Sequence, residues 1–190
     1  MDKVIFIRPF QITDICTVSR MYLSLPENDR RVFHPCPFHW WLVVPIVSIL
    51  SIEPLLHKFI RLVFPRASFF PLIVRDADTG SCAGFTYLQM RRKNTDGSYL
   101  ATLGILVGND YRTKGVGSQL MAGLIKQAYE NNVSKIWLTV SVDNESAINL
   151  YRRHGFIITN TKDKGDVWDG KFYTVHEMEL VLDKKREAEK

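Results

Sequence analysis

The residues Arg112-Thr113-Lys114-Gly115-Val116-Gly117 have the types and the order of an anion cradle. Two glycines let the backbone come close to a ligand. A helical pattern begins directly after them, and a helix start offers free N–H groups and the positive end of a dipole, both suited to phosphate. Two familiar phosphate loops do not fit. A P-loop needs G-x-x-x-x-G-K-[ST], whereas Lys114 precedes Gly115 and Ser118 follows Gly117 directly. A dinucleotide fingerprint needs a third glycine, and Ser118, Gln119 and Leu120 supply none. Taken alone, the loop reads equally well as a strand–loop–helix connection with glycines placed for steric reasons. Further on, Tyr151 carries a hydroxyl on an otherwise apolar ring. By spacing alone it is a core aromatic one helical turn from Ala147, and Asn144 is a helix N-cap.

The elements that must position these residues follow from periodicity. Leu103 to Val107 is apolar and reads as the end of a buried strand running from Tyr99, with Gly108, Asn109 and Asp110 forming a turn. Val116, Leu120, Met121, Leu124, Ile125 and Ala128 share one face of a 3.6-residue period, so a helix spans Lys114–Glu130. An apolar strand over Ile136–Val142 and a helix over Asn144–His154 come next, with Gly155 as C-cap glycine. Upstream, Val4–Arg8 reads as a strand and Thr13 as the cap of a helix with Ile15, Val18 and Tyr22 inward. Phe70–Arg75 and Ala83–Arg91 flank the turn Asp78-Thr79-Gly80, and Asn94–Gly97 is a second turn. Phe156–Thr161 and Lys171–Leu182 are the last two strands, joined by a polar loop Asp163–Gly170. The stretch Trp40–Leu56 is the most apolar. A spanning helix needs about 20 apolar residues, and Pro45, Ser48, Ser51, Glu53 and Pro54 interrupt this run. It is read as helices packed on the sheet, with contact to a membrane surface or a second subunit, as in a homodimer, left open.

Two patterns together carry a family resemblance. Arg112–Gly117 spells R-x-x-G-x-G, and Asn144–Phe156 spells N-x-x-A-x-x-x-Y-x-x-x-G-F, in that order and each on the expected element. The chain resembles the GNAT superfamily of N-acetyltransferases, strongly over Leu103–Phe156 and loosely from Val4 to Leu182. The resemblance implies a mixed α/β fold, a central sheet of about seven strands with helices on both faces. It implies a single domain over 1–182, followed by a charged tail over 183–190. It implies acetyl-CoA as cosubstrate and direct acetyl transfer to an amine. The backbone of Leu106 and Val107 would pair with the pantetheine arm. The residues Arg112, Thr113, Lys114, Gly115, Val116, Gly117 and Ser118 would hold the pyrophosphate, and Asn144 would contact the cofactor. Tyr151 would serve the leaving thiolate. Free tyrosine has a pKa of about 10 against about 8.5 for a cysteine thiol, so full proton transfer runs uphill in reference terms.

The acceptor is less legible. The family's acceptor contacts lie in the region corresponding to Glu27–Leu56 and in the loop before the last strand. Phe33, His34 and Trp41 are the candidate acceptor-binding residues here. Many family members use a glutamate on the central strand as base, but Tyr99–Val107 contains no acidic residue. His34, His39, Glu53 and His176 remain as candidates. A catalytically silent module that binds CoA or a partner is the competing reading.

Composition bounds the rest. The 190 residues are 46% hydrophobic and 24% charged, which suits one globular domain with a real core. The net charge of +5 suits a polyanionic cofactor. Basic residues are scattered rather than striped, so no nucleic acid partner is expected. Cys16, Cys36 and Cys82 are odd in number and not in C-x-x-C spacing, which points to a reducing, cytoplasmic setting with neither disulfides nor a bound metal. The amino terminus has too short an apolar run for a signal peptide, and no transmembrane span is expected.

Overall fold

The computed structural model describes residues 5–27, 29 and 69–182. The expected helices over Trp40–Leu56, the candidates Phe33, His34, His39, Trp41 and Glu53, and the tail over 183–190 lie outside the described residues.

Seven strands form one sheet in the order β1-β2-β3-β4-β5-β7-β6. Their ranges are β1 (Ile5–Pro9), β2 (Phe69–Asp76), β3 (Cys82–Lys93), β4 (Tyr99–Val107), β5 (Val133–Ser141), β6 (Ile157–Trp168) and β7 (Lys171–Val181). The first four are antiparallel neighbours, and β4 and β5 run parallel. Three α-helices appear among the described residues: α1 (Ile15–Leu23), α2 (Val116–Glu130) and α3 (Glu145–Arg153). The crossover from β4 through α2 to β5 makes that one pair parallel, as a helix-sized connection requires.

Alternation along the strands distributes the helices. Ile73, Phe85 and Leu106 point to one face and pack against Val18 and Met21 of α1. Val74, Ala83 and Val107 point to the other face and meet Val116 and Leu120 of α2. The same side continues across the sheet, where Leu103, Ile136, Leu138 and Met178 bury Met121, Leu124, Ile148 and Tyr151. Leu120, Met121 and Leu124 are fully buried, each contributing about 1.5–3 kcal/mol by leaving water. The expected apolar stripe of α2 is therefore the stripe that docks.

Three expectations are corrected. Thr13 is exposed and does not cap α1; the N-cap is Asp14, after a single 3-10 turn. Asp14 is buried and bonded by both Arg8 guanidinium nitrogens at 2.7 and 2.6 Å, so it ties α1 to β1. The inward face of α1 is Val18 and Met21, with Tyr22 only partly covered. The third correction concerns Asp163–Gly170, which is not a loop. Strand β6 continues to Trp168 and pairs with Lys171, leaving Asp169 and Gly170 as a two-residue turn, with φ of 49° and 70°. Positive φ at both positions is the type I′ geometry that Asp-Gly favours. The polar character of the segment comes from a bulge in which Asp163, Lys164 and Gly165 stand opposite the single residue Thr174.

Candidate active site

The site begins where β4 and β5 part. They pair only from Tyr99 to Thr102 against Val133 to Trp137. Beyond that, among the described residues, Leu103–Val107 pairs with β3 alone, and Leu138–Ser141 pairs with β7 alone. A cleft therefore opens between the carboxyl-terminal halves of the two parallel strands.

Register decides which backbone groups face the cleft. Gly108 N–H donates to Ala83 O at 3.0 Å, so Ala83–Gly108 is a hydrogen-bonded antiparallel pair. Such pairs alternate with non-bonded ones. Phe85–Leu106 and Tyr87–Gly104 are then bonded pairs, and Leu103, Ile105 and Val107 turn their N–H and C=O groups away from β3 into the cleft. Of the two expected pantetheine contacts, Val107 turns its backbone groups into the cleft. Leu106 spends its backbone groups on β3 and buries its side chain under α1, and its neighbour Ile105 is the one whose backbone groups face the cleft. Backbone polar groups on such an edge need partners, and a ligand with amide groups supplies them.

Val107 leads through a 3-10 turn (Asn109–Tyr111) into the glycine loop. The turn is pinned from beneath, because the buried Tyr111 hydroxyl donates to Asp76 Oδ2 at 2.8 Å. The N–H groups of Thr79 and Asp78 and the Tyr111 hydroxyl hold the Asp76 carboxyl at about 2. Arg112, Thr113, Lys114 and Gly115 are exposed. Thr113 has φ of 60°, a conformation that a β-branched residue rarely adopts. Lys114 Nζ donates to Asp110 O at 2.7 Å, folding the loop on itself, and Arg112 pairs with Asp29 at 3.0 Å.

Gly115 is the N-cap of α2 in the left-handed region, with φ of 79°, and no side chain among the described residues caps the helix. Its carbonyl accepts the Gln119 N–H, which leaves Val116, Gly117 and Ser118 in the first turn with outward N–H groups. Val116 is itself buried, so only its backbone can serve a ligand. Gly117 answers a different constraint: a Cβ there would stand 3.2 Å from Leu150 of α3. The uncapped helix start, two cationic side chains and a chain held in place by Tyr111 together fit a pyrophosphate.

Asn144 caps α3, its Oδ1 accepting from Ala147 N–H at 3.2 Å and from Ser146 Oγ at 3.1 Å. Its Nδ2 group makes no hydrogen bond among the described residues. Tyr151 points inward from α3, buried against Phe156 with ring centroids 5.6 Å apart. Burial pushes the Tyr151 phenol well above its ordinary pKa, and the Tyr87 phenol nearby adds to the shift. The phenol is thus neutral near pH 7 and keeps its proton.

Other candidates fall elsewhere. His176 sits on β7, cross-strand from Val140, with Nδ1 2.8 Å from Thr161 Oγ1. Strand β5 separates it from the cleft. A groove of about 410 Å³ lined by Arg92, Leu100, Lys135 and Glu179 occupies the amino-terminal ends of β4 and β5, away from the glycine loop. No cluster of metal-ligating side chains occurs among the described residues, and no helix among them is long and apolar enough to cross a membrane. Two features were not anticipated. Ser141, at the cleft end of β5, is buried with no partner for its Oγ among the described residues. Tyr87 lies across Gly104, and the signal for it was legible: a glycine inside a strand often marks the close approach of another group.

Comparison with known proteins agrees with this arrangement. The family model described as the acetyltransferase (GNAT) family matches residues 37–156. The L-amino acid N-acetyltransferase AaaT of Escherichia coli is 36% identical over 86 residues, 44% of this chain and 52% of that protein. The chain spans about half the length of such curated relatives. The crystal structure of a GNAT-family acetyltransferase from Streptococcus pneumoniae superposes with a TM-score of 0.67 at 19% identity, covering 94% of this chain and 100% of that one. A GNAT superfamily phosphinothricin acetyltransferase from Sinorhizobium meliloti, solved in complex with acetyl-CoA, gives a TM-score of 0.69 at 16% identity, covering 97% and 90%. At these identities the structural likeness speaks for the fold.

Proposed function

Because the chain belongs to the acetyltransferase (GNAT) family, we propose that it transfers an acetyl group from acetyl-CoA to an amine by direct attack in a ternary complex. The observation that carries this reading is the cleft between β4 and β5, with an uncapped helix start at its mouth and a neutral phenol in its wall. Bound acetyl-CoA supplies the activated thioester. The amine nitrogen attacks the carbonyl carbon, the C–N bond forms as the C–S bond breaks, the amine gives up a proton, and the thiolate takes one.

Each step except the loss of the amine proton has a group among the described residues suited to it. The N–H groups of Val116, Gly117 and Ser118 and the charges of Arg112 and Lys114 hold the phosphates, with Thr113 and Gly115 shaping the turn. The N–H of Ile105 or Val107 donates to the thioester oxygen as negative charge develops there. Asn144 Nδ2 contacts the pantetheine arm. Tyr151 donates its O–H to the sulfur. Burial raises the phenol's pKa, but the same desolvation raises that of a thiol beside it, so the proton transfer is less uphill than the phenol's shift alone implies.

The acceptor class is an amine, and Phe33, His34 and Trp41, its expected contacts, lie outside the described residues. Residues 1–182 make up the catalytic domain, in a reducing, cytoplasmic setting. One observation favours the silent-module reading: among the described residues of β4, none is a carboxylate. Thiol release from acetyl-CoA with a panel of amines separates the two readings. Acetyl-CoA binding without release from any amine favours the silent module, and no binding at millimolar acetyl-CoA defeats both.

A further inference from the structure

Tyr87, on β3, stands directly across from Gly104 on β4. A Cβ built on Gly104 would lie 2.5 Å from Tyr87 Cε1, 2.6 Å from Cζ and 2.7 Å from the hydroxyl oxygen. The phenol is therefore laid flat over the glycine, and its hydroxyl ends above β4, the strand whose far edge is the cleft. Phe69 stacks on the ring with centroids 5.0 Å apart, and Phe85 lies 6.3 Å away, so the ring is held in that orientation. Glycine inside a strand costs stability relative to alanine, and here only glycine leaves room for the ring.

The two tyrosines of the site stand on opposite faces of the sheet. Tyr151 belongs to the layer of Met121 and Leu124 under α2, and Tyr87 to the layer of Phe85 and Leu106 under α1. The phosphate cradle is on the α2 side. A cofactor arm entering the cleft from there exposes its far face to the α1 side, so an attacking amine must come from the side of Tyr87. The Tyr87 phenol is close enough to add to the upward shift of Tyr151, after the larger effect of burial.

We propose that the Tyr87 hydroxyl, held over Gly104, receives the acceptor amine by accepting a hydrogen bond from its N–H. The bond points the nitrogen lone pair at the thioester carbon. A neutral phenol orients rather than deprotonates, which suits a strand that carries no carboxylate. This role rests on the acetyltransferase reading.

The test compares Tyr87→Phe with the parent. The acceptor is whichever of the free L-amino acids, spermidine or a short peptide with a free amino terminus the parent acetylates fastest, followed by thiol release. Acetyl-CoA affinity is measured separately by calorimetry. The expected result is a fall in kcat/KM for the amine of about two- to tenfold, the worth of one hydrogen bond, with acetyl-CoA affinity unchanged. Unchanged amine kinetics, or an equal loss of acetyl-CoA affinity, overturns the proposal. Gly104→Ala displaces the ring, so it should reproduce the loss in the parent and add nothing in a Tyr87→Ala background. Equal damage in both backgrounds also overturns it. A parent that binds acetyl-CoA yet releases thiol with none of these amines fails the acetyltransferase reading itself, and the role of Tyr87 falls with it.

Discussion

Gly115 offers a clean separation of backbone conformation from ligand approach. It sits at φ 79°, and a Cβ added there would meet nothing within 4 Å. Replacing it by alanine therefore costs only the left-handed backbone, about 1–2 kcal/mol. For a chain of this size that lowers Tm by about 2–8 °C. Asparagine tolerates the left-handed region far better, so Gly115→Asn should keep most of the stability while placing a side chain in the same space. If that space belongs to the pyrophosphate, both variants push the phosphates off the first-turn N–H groups. Losing one charge-assisted bond of about 1.5–3 kcal/mol weakens acetyl-CoA binding by about ten- to a hundredfold. Thermal unfolding without ligand reads the first quantity, and calorimetric titration with acetyl-CoA reads the second. Full parental affinity in both variants, with alanine alone losing stability, would show that Gly115 serves the chain reversal and not the phosphates.

Tyr151→Phe removes a single hydroxyl from a packed ring, so acetyl-CoA affinity should stay near the parent's while kcat falls by about 10²-fold or more; single-turnover measurements check this where chemistry limits the rate. Gly117→Val should be harder on the fold than Gly115→Asn, because its γ-carbons crowd Leu150, where even the Cβ stands at 3.2 Å; overpacking of this kind costs about 1–3 kcal/mol, readable by urea unfolding. The Asp76 carboxyl lies below its ordinary 3.8, at about 2 in the folded state, so the stability it contributes is present above pH 3.8 and is lost as pH falls toward 2. Tyr111→Phe removes one cause of that depression and should flatten the pH dependence of unfolding across this window. Arg8→Ala leaves the buried Asp14 with Arg75 at 3.6 Å as its remaining cation, and should cost about 2–3 kcal/mol, somewhat less than stripping a buried charge of every partner.

Local pattern alone was enough for much of this protein. The 3.6-residue stripe from Val116 to Ala128, the strand Tyr99–Val107, the cap at Asn144 and the glycine at 155 are each set by neighbours within a few positions, and each stands where the sequence placed it. So does the glycine loop, since Gly115 and Gly117 announce a tight turn before a helix. The Asp169-Gly170 hairpin was equally local, but the charged run before it disguised a bulged strand as a loop. What tertiary structure decided is everything that depends on register between distant strands. The parting of β4 from β5 joins residues more than thirty positions apart, and nothing in Leu103–Val107 says which of its N–H groups face β3. One step of register exchanges Leu106 for Ile105. The partnership of Tyr87 with Gly104 has the same origin, because the reason for a glycine on β4 is a ring on β3. Side-chain type and spacing therefore carried the family resemblance, while strand pairing decided which backbone atoms face the cleft.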